Sequence, residues 1–175
     1  IAVAVAGEAL AKKTRTARPE DAFTAGILHD IGRLVMRQTM PAEFAEAVQI
    51  AKSTGAPLAE TELKTTGYAH DDVGRALGER WKFPAHLVDA VRCHHDITQT
   101  PERDGLSGIV AQADRLALAY GLYCGYDRDE DLGPLAPDLA DFEEACGGID
   151  RVLERAFAFI ESASGAPERW YAAVA

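Results

Sequence analysis

The sequence predicts an all-α protein, a bundle of short helices. Apolar residues recur every three or four positions through most of the chain, and no run alternates apolar with polar residues as a half-buried strand would. Prolines, glycines and Ser/Thr clusters cut the chain into short periodic segments, the punctuation of a bundle with tight connections.

The elements follow in order. Residues 2–13 are rich in Ala, Val and Leu, and Lys12 and Lys13 stand where cations favour a helix C-terminus, so the first helix ends near Thr14. The periodic pattern is already under way at Ile1, with no basic region and cleavage site of a signal peptide, which suggests a helix continuing from an upstream part of a longer protein. Pro19, Glu20 and Asp21 open a second helix, in which Phe23, Ile27, Asp30 or Ile31, and Leu34 share a stripe. This places His29 and Asp30 in its middle. Pro41 starts a third helix that stops at Ser53-Thr54-Gly55, and Pro57 starts a fourth that stops at Thr65-Thr66-Gly67. His70 opens a fifth, with Val73, Leu77 and Trp81 on its face, and Phe83-Pro84 separates it from a sixth that leads through Leu87, Val88 and Val91 to His94-His95. A loop over residues 96–108 precedes a helix over 109–122 that carries Asp114. The acidic, Pro- and Gly-bearing stretch 125–138 reads as a solvated loop, and 149–160 as a last helix. Residues 1–122 are thus the expected core, and 123–175 an acidic loop with a C-terminal helical extension packing on it.

At 175 residues the chain suits one domain with a substantial core. No apolar run approaches the roughly 18–20 residues that span a bilayer. A net charge of −10 repels polyanions and disfavours general nucleic-acid binding. Cys93, Cys124 and Cys146 are far apart and form no CxxC, as expected of a protein kept in a reducing cytoplasm.

Four of the five histidines and two acids, His29, Asp30, His70, His94, His95 and Asp114, fall at the ends or on the inward stripes of different predicted helices. Any one of them could be a hydrogen-bonded core residue. Together they would need many separate partners, whereas one metal centre in a bundle satisfies them all. His29 and Asp30 point about 100° apart on a helix and share a partner only between those directions. Asp30 on an apolar stripe would cost several kcal/mol unless paired. His86 lies off the Leu87/Val91 stripe and is left out of the site, and Arg33, one turn from Asp30, is expected as a surface arginine that could steady a phosphate. Mixed His/Asp ligands suit iron, manganese, zinc or nickel.

AFTAGILHDIGRLVM, GYAHDDVGRALGERWKFPAHLVDAVRCHH and IVAQADRLA occur in this order, and together they resemble the HDOD domains, the HD-related output domains of the HD superfamily, over residues 1–122. The resemblance implies an HD-domain-like helical bundle and a divalent metal site of one or two ions. His29 and Asp30 would be ligands, Asp30 the bridge, with His70, His94, His95 and Asp114 at further positions. Residues 1–28 contain no counterpart of the family's leading histidine. The HD-GYP relatives that hydrolyse cyclic di-GMP carry a Gly-Tyr-Pro motif and a lysine where this chain has DITQTPERDG and Arg33, so that activity is not implied. What is implied is a bacterial signal-transduction output module acting on a regulatory protein partner or upstream domain. The alternative is a metal-dependent phosphohydrolase or phosphodiesterase acting on a nucleotide.

Overall fold

The computed structural model describes residues 1–96 and 105–119, together with residues 151, 154, 155 and 158. The described part is helical throughout, with eight helices: α1 (Ala2–Thr14), α2 (Pro19–Leu28), α3 (Ile31–Thr39), α4 (Pro41–Thr54), α5 (Leu58–Thr66), α6 (His70–Arg80), α7 (Ala85–Cys93) and α8 (Leu106–Ala119). The stretch 125–138 and most of 149–160 lie outside the described residues. No described helix is long and apolar enough to cross a membrane.

Local chemistry sets most of the boundaries. Pro19 and Pro41 occupy first-turn positions, where the missing N–H would have no helical partner in any case. Gly55 and Gly67 end α4 and α5 at φ 76° and 81°, left-handed values that a side chain would strain.

Two boundaries differ from the sequence expectation: α8 begins at Leu106 and not at 109, and the expected second helix is broken in its middle. His29 and Asp30 do not sit within a single long helix; they form the turn between α2 and α3. The His29 side chain caps the end of α2, its Nδ1 donating to the Gly26 carbonyl at 2.8 Å. Asp30 then leaves helical geometry at φ −98°, ψ 15°, and the Arg33 amide donates to its carbonyl to begin α3. The break also redirects the stripe on which Asp30 was expected. Ile27 is 41% and Leu34 64% exposed, while α2 buries Ala22, Ala25 and Gly26 and α3 buries Gly32, Arg33 and Met36.

The main core lies among α1, α2, α7 and α8, where Val5, Leu10, Ala22, Leu87, Val110 and Leu116 are buried together. Each buried Val or Leu side chain among them contributes about 1.5–3 kcal/mol on leaving water. A smaller cluster, Ala47, Ala51 and Leu58, joins α4 to α5. Helices α3 and α6 pack on each other, and α6 also packs on α7. The buried face of α6 is His70, Gly74 and Gly78, not the expected Val73/Leu77/Trp81 stripe, and Trp81 is 58% exposed. Small residues let α3 come close: a methyl group at Gly32 would lie 1.8 Å from the His70 carbonyl oxygen. That close approach brings the His29-Asp30 turn up to His70.

Candidate metal centre

Asp30, His70, His94 and His95 each offer a ligand atom, and these atoms lie within 4.8 Å of one another. They come from the α2–α3 turn, the first residue of α6, and the end of α7. Helix termini suit this task, since side chains there project past the last turn instead of lying along the cylinder.

The hydrogen bonds decide how the rings are turned. A carbonyl can only accept, so a ring nitrogen bonded to one must carry the proton. His29 Nδ1 donates to the Gly26 carbonyl and His94 Nδ1 to the Val91 carbonyl at 2.7 Å. Each ring therefore presents Nε2 to Asp30. His94 Nε2 lies 3.6 Å and His70 Nε2 3.5 Å from Asp30 Oδ1. His70 Nε2 is also 2.8 Å from His95 Nε2. His95 is exposed as a residue, yet this nitrogen faces inward.

Asp30 Oδ1 and His94 Nε2 are both buried and neither has a hydrogen-bond partner among the described residues. Two acceptors facing each other in a buried site repel unless a cation or proton lies between them. Two ligands bonded to one ion at about 2.0–2.2 Å in tetrahedral geometry are separated by roughly 3.3–3.6 Å, which matches the distances of Asp30 Oδ1 from His70 and His94 Nε2, whereas His70 and His95 Nε2, at 2.8 Å, would have to move apart to share an ion. The donor set and its spacing fit an HD-type metal site.

The other oxygen of Asp30 has different neighbours. Oδ2 accepts from Arg33 Nη1 at 2.7 Å and lies 3.4 Å from His29 Nε2, which is itself 3.5 Å from Asp114 Oδ1. All six sequence-selected residues thus fall in one region, four in the tight cluster and His29 and Asp114 on the Oδ2 side. Arg33 departs from its expected surface position: it is 7% exposed and paired with Asp30. His86 stands apart, half exposed, 3.6 Å from Asp21.

The charges are mutually adjusted. Burial raises the Asp30 carboxyl, but His29, His94, Arg33 and His70 outweigh it and hold the group well below the usual carboxylate range. Asp114 shows the same balance, with His29 overcoming burial. Burial lowers His29, but Asp30 and Asp114 outweigh it and raise its pKa. His95 is held well below the ordinary imidazole value by desolvation and by His94, His70 and Arg33. A cavity of about 500 Å³ opens on the Oδ2 side, lined by His29, Asp30, Arg33 and Arg37 with Ile27 and Leu34 as apolar walls.

The sequence reading missed Glu62. It is fully buried on α5, and its Oε2 accepts from the His70 amide at 2.9 Å and lies 2.6 Å from His70 Nδ1. The available signal was an acid on the stripe Leu58, Thr61, Glu62, all three buried.

A match to the HDOD domain covers residues 1–97, more than half of the chain. The chain belongs to the HDOD domain family. Among curated proteins it is similar to an uncharacterized protein of Treponema pallidum (strain Nichols), 26% identical over 82 residues, or 47% of this chain and 16% of that protein. Two crystal structures are similar over most of its length. An HDOD domain protein of unknown function from Geobacter sulfurreducens is 25% identical with a TM-score of 0.70, covering 92% of this chain and 58% of its own. A protein provisionally named a phosphohydrolase, from Shewanella amazonensis SB2B, is 28% identical with a TM-score of 0.63, covering 88% and 55%. The chain therefore spans between half and two thirds of these solved relatives and about a sixth of the Treponema protein.

Proposed function

We propose that this HDOD domain is a cytoplasmic signal-transduction output module whose working centre holds one divalent metal ion between Asp30 Oδ1, His70, His94 and His95. The observation that carries the metal reading is the pair of buried, unpartnered atoms Asp30 Oδ1 and His94 Nε2 facing each other at 3.6 Å. At Oδ2 the Arg33 guanidinium already supplies positive charge at 2.7 Å, which favours one ion over two. The ion would tie together the α2–α3 turn, α6 and α7, so its binding, or a ligand's binding beside it, biases how these segments sit and what a regulatory partner or upstream domain meets.

A second reading, a metal-dependent phosphohydrolase or phosphodiesterase acting on a nucleotide, is favoured by the cavity at the site and by the name of the Shewanella relative. A bound divalent ion would supply polarisation of a phosphoryl oxygen and a water of lowered pKa. Arg37 at the cavity rim would attract the phosphate, Ile27 and Leu34 would shelter an apolar part of the substrate, and Arg33 would keep Asp30 oriented.

The test is a screen of linear and cyclic nucleotides with the metal-loaded protein, beside hydrogen exchange with and without metal. The output reading expects no turnover and slowed exchange in α6 and α7 on metal loading. Turnover that disappears in His29→Ala would replace it with the enzyme reading.

A further inference from the structure

We propose that Glu62 is a positioning residue that holds His70 in the tautomer with its proton on Nδ1, leaving Nε2 as an unprotonated acceptor that faces His95 Nε2 and Asp30 Oδ1. The proposal rests on the reading of this cluster as a metal centre for its consequence, but the tautomer itself is a property of the metal-free chain.

Both side chains are completely buried, so water competes for neither. Glu62 Oε2 meets His70 twice: the backbone amide, which can only donate, at 2.9 Å, and Nδ1 at 2.6 Å. Oε1 is buried without a hydrogen-bond partner among the described residues. A buried carboxylate whose hydrogen bonds among the described residues all go to one neighbour is strongly disfavoured once that neighbour is lost. Its attachment to His70 is therefore strong and in both directions. The amide bond fixes where Oε2 sits, and Oε2 fixes the ring plane and the site of the ring proton.

Two other rings of the centre, His29 and His94, take the same tautomer from backbone carbonyls. His70 stands at the first position of α6, with no preceding helical carbonyl to use. A side chain from α5, eight residues earlier, takes the carbonyl's place. Unlike a carbonyl it brings negative charge to the ring, which makes Nε2 a better donor to a cation. Acidic partners of this kind, behind a ligating histidine, typically change metal affinity about 10–100-fold.

Nitrogen-15 NMR of the metal-free protein reads the tautomer directly, and zinc or cobalt titration reads its consequence. Wild type is expected to show His70 protonated on Nδ1. Glu62→Gln keeps an acceptor oxygen but loses the charge, so it should retain the tautomer and bind metal less tightly. Glu62→Leu should lose the tautomer preference and weaken binding about 10–100-fold. Two results would overturn the proposal: a wild-type His70 protonated on Nε2, or a folded Glu62→Leu whose tautomer is unchanged. Failure of wild type to take up metal, with the Nδ1–H tautomer present and dependent on Glu62, would instead sink the metal reading alone. Should Glu62→Leu not fold, the wild-type spectrum and the affinity of Glu62→Gln still decide, and unchanged affinity in the latter removes the role of the charge.

Discussion

At the scale of single residues, the centre is a set of lone pairs and negative charges held close together by bonds made on their far sides. In the metal-free chain protons must stand in for the cation, and this gives the stability a shape against pH. His29 has a folded pKa raised above its unfolded value near 6.5, so its contribution is complete below that value and is lost as pH rises through the folded pKa. His95 is shifted the other way. Below about 6.5 the unfolded chain takes up a proton that the folded ring resists, so stability falls as pH drops towards its folded pKa. The two groups therefore pull in opposite directions, His29 stabilising the metal-free protein towards lower pH and His95 towards higher pH. Thermal melts between pH 5 and 8 check this: His29→Asn should flatten the upper limb and His95→Asn the lower one. A lower limb unchanged in His95→Asn would contradict the assignment. Below about pH 4 a further loss is expected, because Asp30 and Asp114 are stabilised as carboxylates and must then be protonated.

Among the elements, the contact of α3 with α6 decides whether the centre forms. Gly32→Ala would drive a methyl group into the His70 carbonyl and towards the Gly74 amide, backbone atoms that cannot turn aside. It should cost about 1–3 kcal/mol or more, as overpacking does, and lower metal affinity although no ligand is changed. Gly55→Ala is the control. It meets nothing within 4 Å and carries only the strain of its left-handed φ, so it should lose stability without losing metal. Comparing denaturant midpoints and metal titrations for the two variants separates the effects; equal metal affinity in both would refute the role of the close approach. The helix ends were legible in the sequence because proline, glycine and threonine act locally. Pro19, Pro41, Gly55 and Gly67 mark boundaries wherever they stand. The break at His29-Asp30 was not legible, because it comes from a side chain bonding the Gly26 carbonyl in competition with the helix. Nor was the face of α6, since Gly74 and Gly78 carry no hydropathy signal while Trp81 does. Six ligand candidates could be chosen from residue type and helix position, and the fold brings four of them, Asp30, His70, His94 and His95, into one tight cluster. Glu62 was not among them, because its one signal, an acid on the Leu58/Thr61 stripe of a short, polar helix, is weak until α6 is packed beside it.

For the molecule as a whole, α3 and α6 link the hydrophobic core of α1, α2, α7 and α8 to the α4–α5 pair, since α6 packs on α7 and α5 while α3 packs on α6 and α4. The centre draws its residues from the α2–α3 turn, α6 and α7, so a metal ion there would tie these parts together. The direct measurement is elemental analysis of protein purified without chelators and after reconstitution with iron, manganese, zinc or nickel, for wild type and Asp30→Ala. The wild-type chain is expected to hold about one equivalent of metal, consistent with a mixed His/Asp donor set, and Asp30→Ala to lose it. A wild-type chain that takes up no metal after reconstitution, or an Asp30→Ala chain that keeps it, would contradict the account.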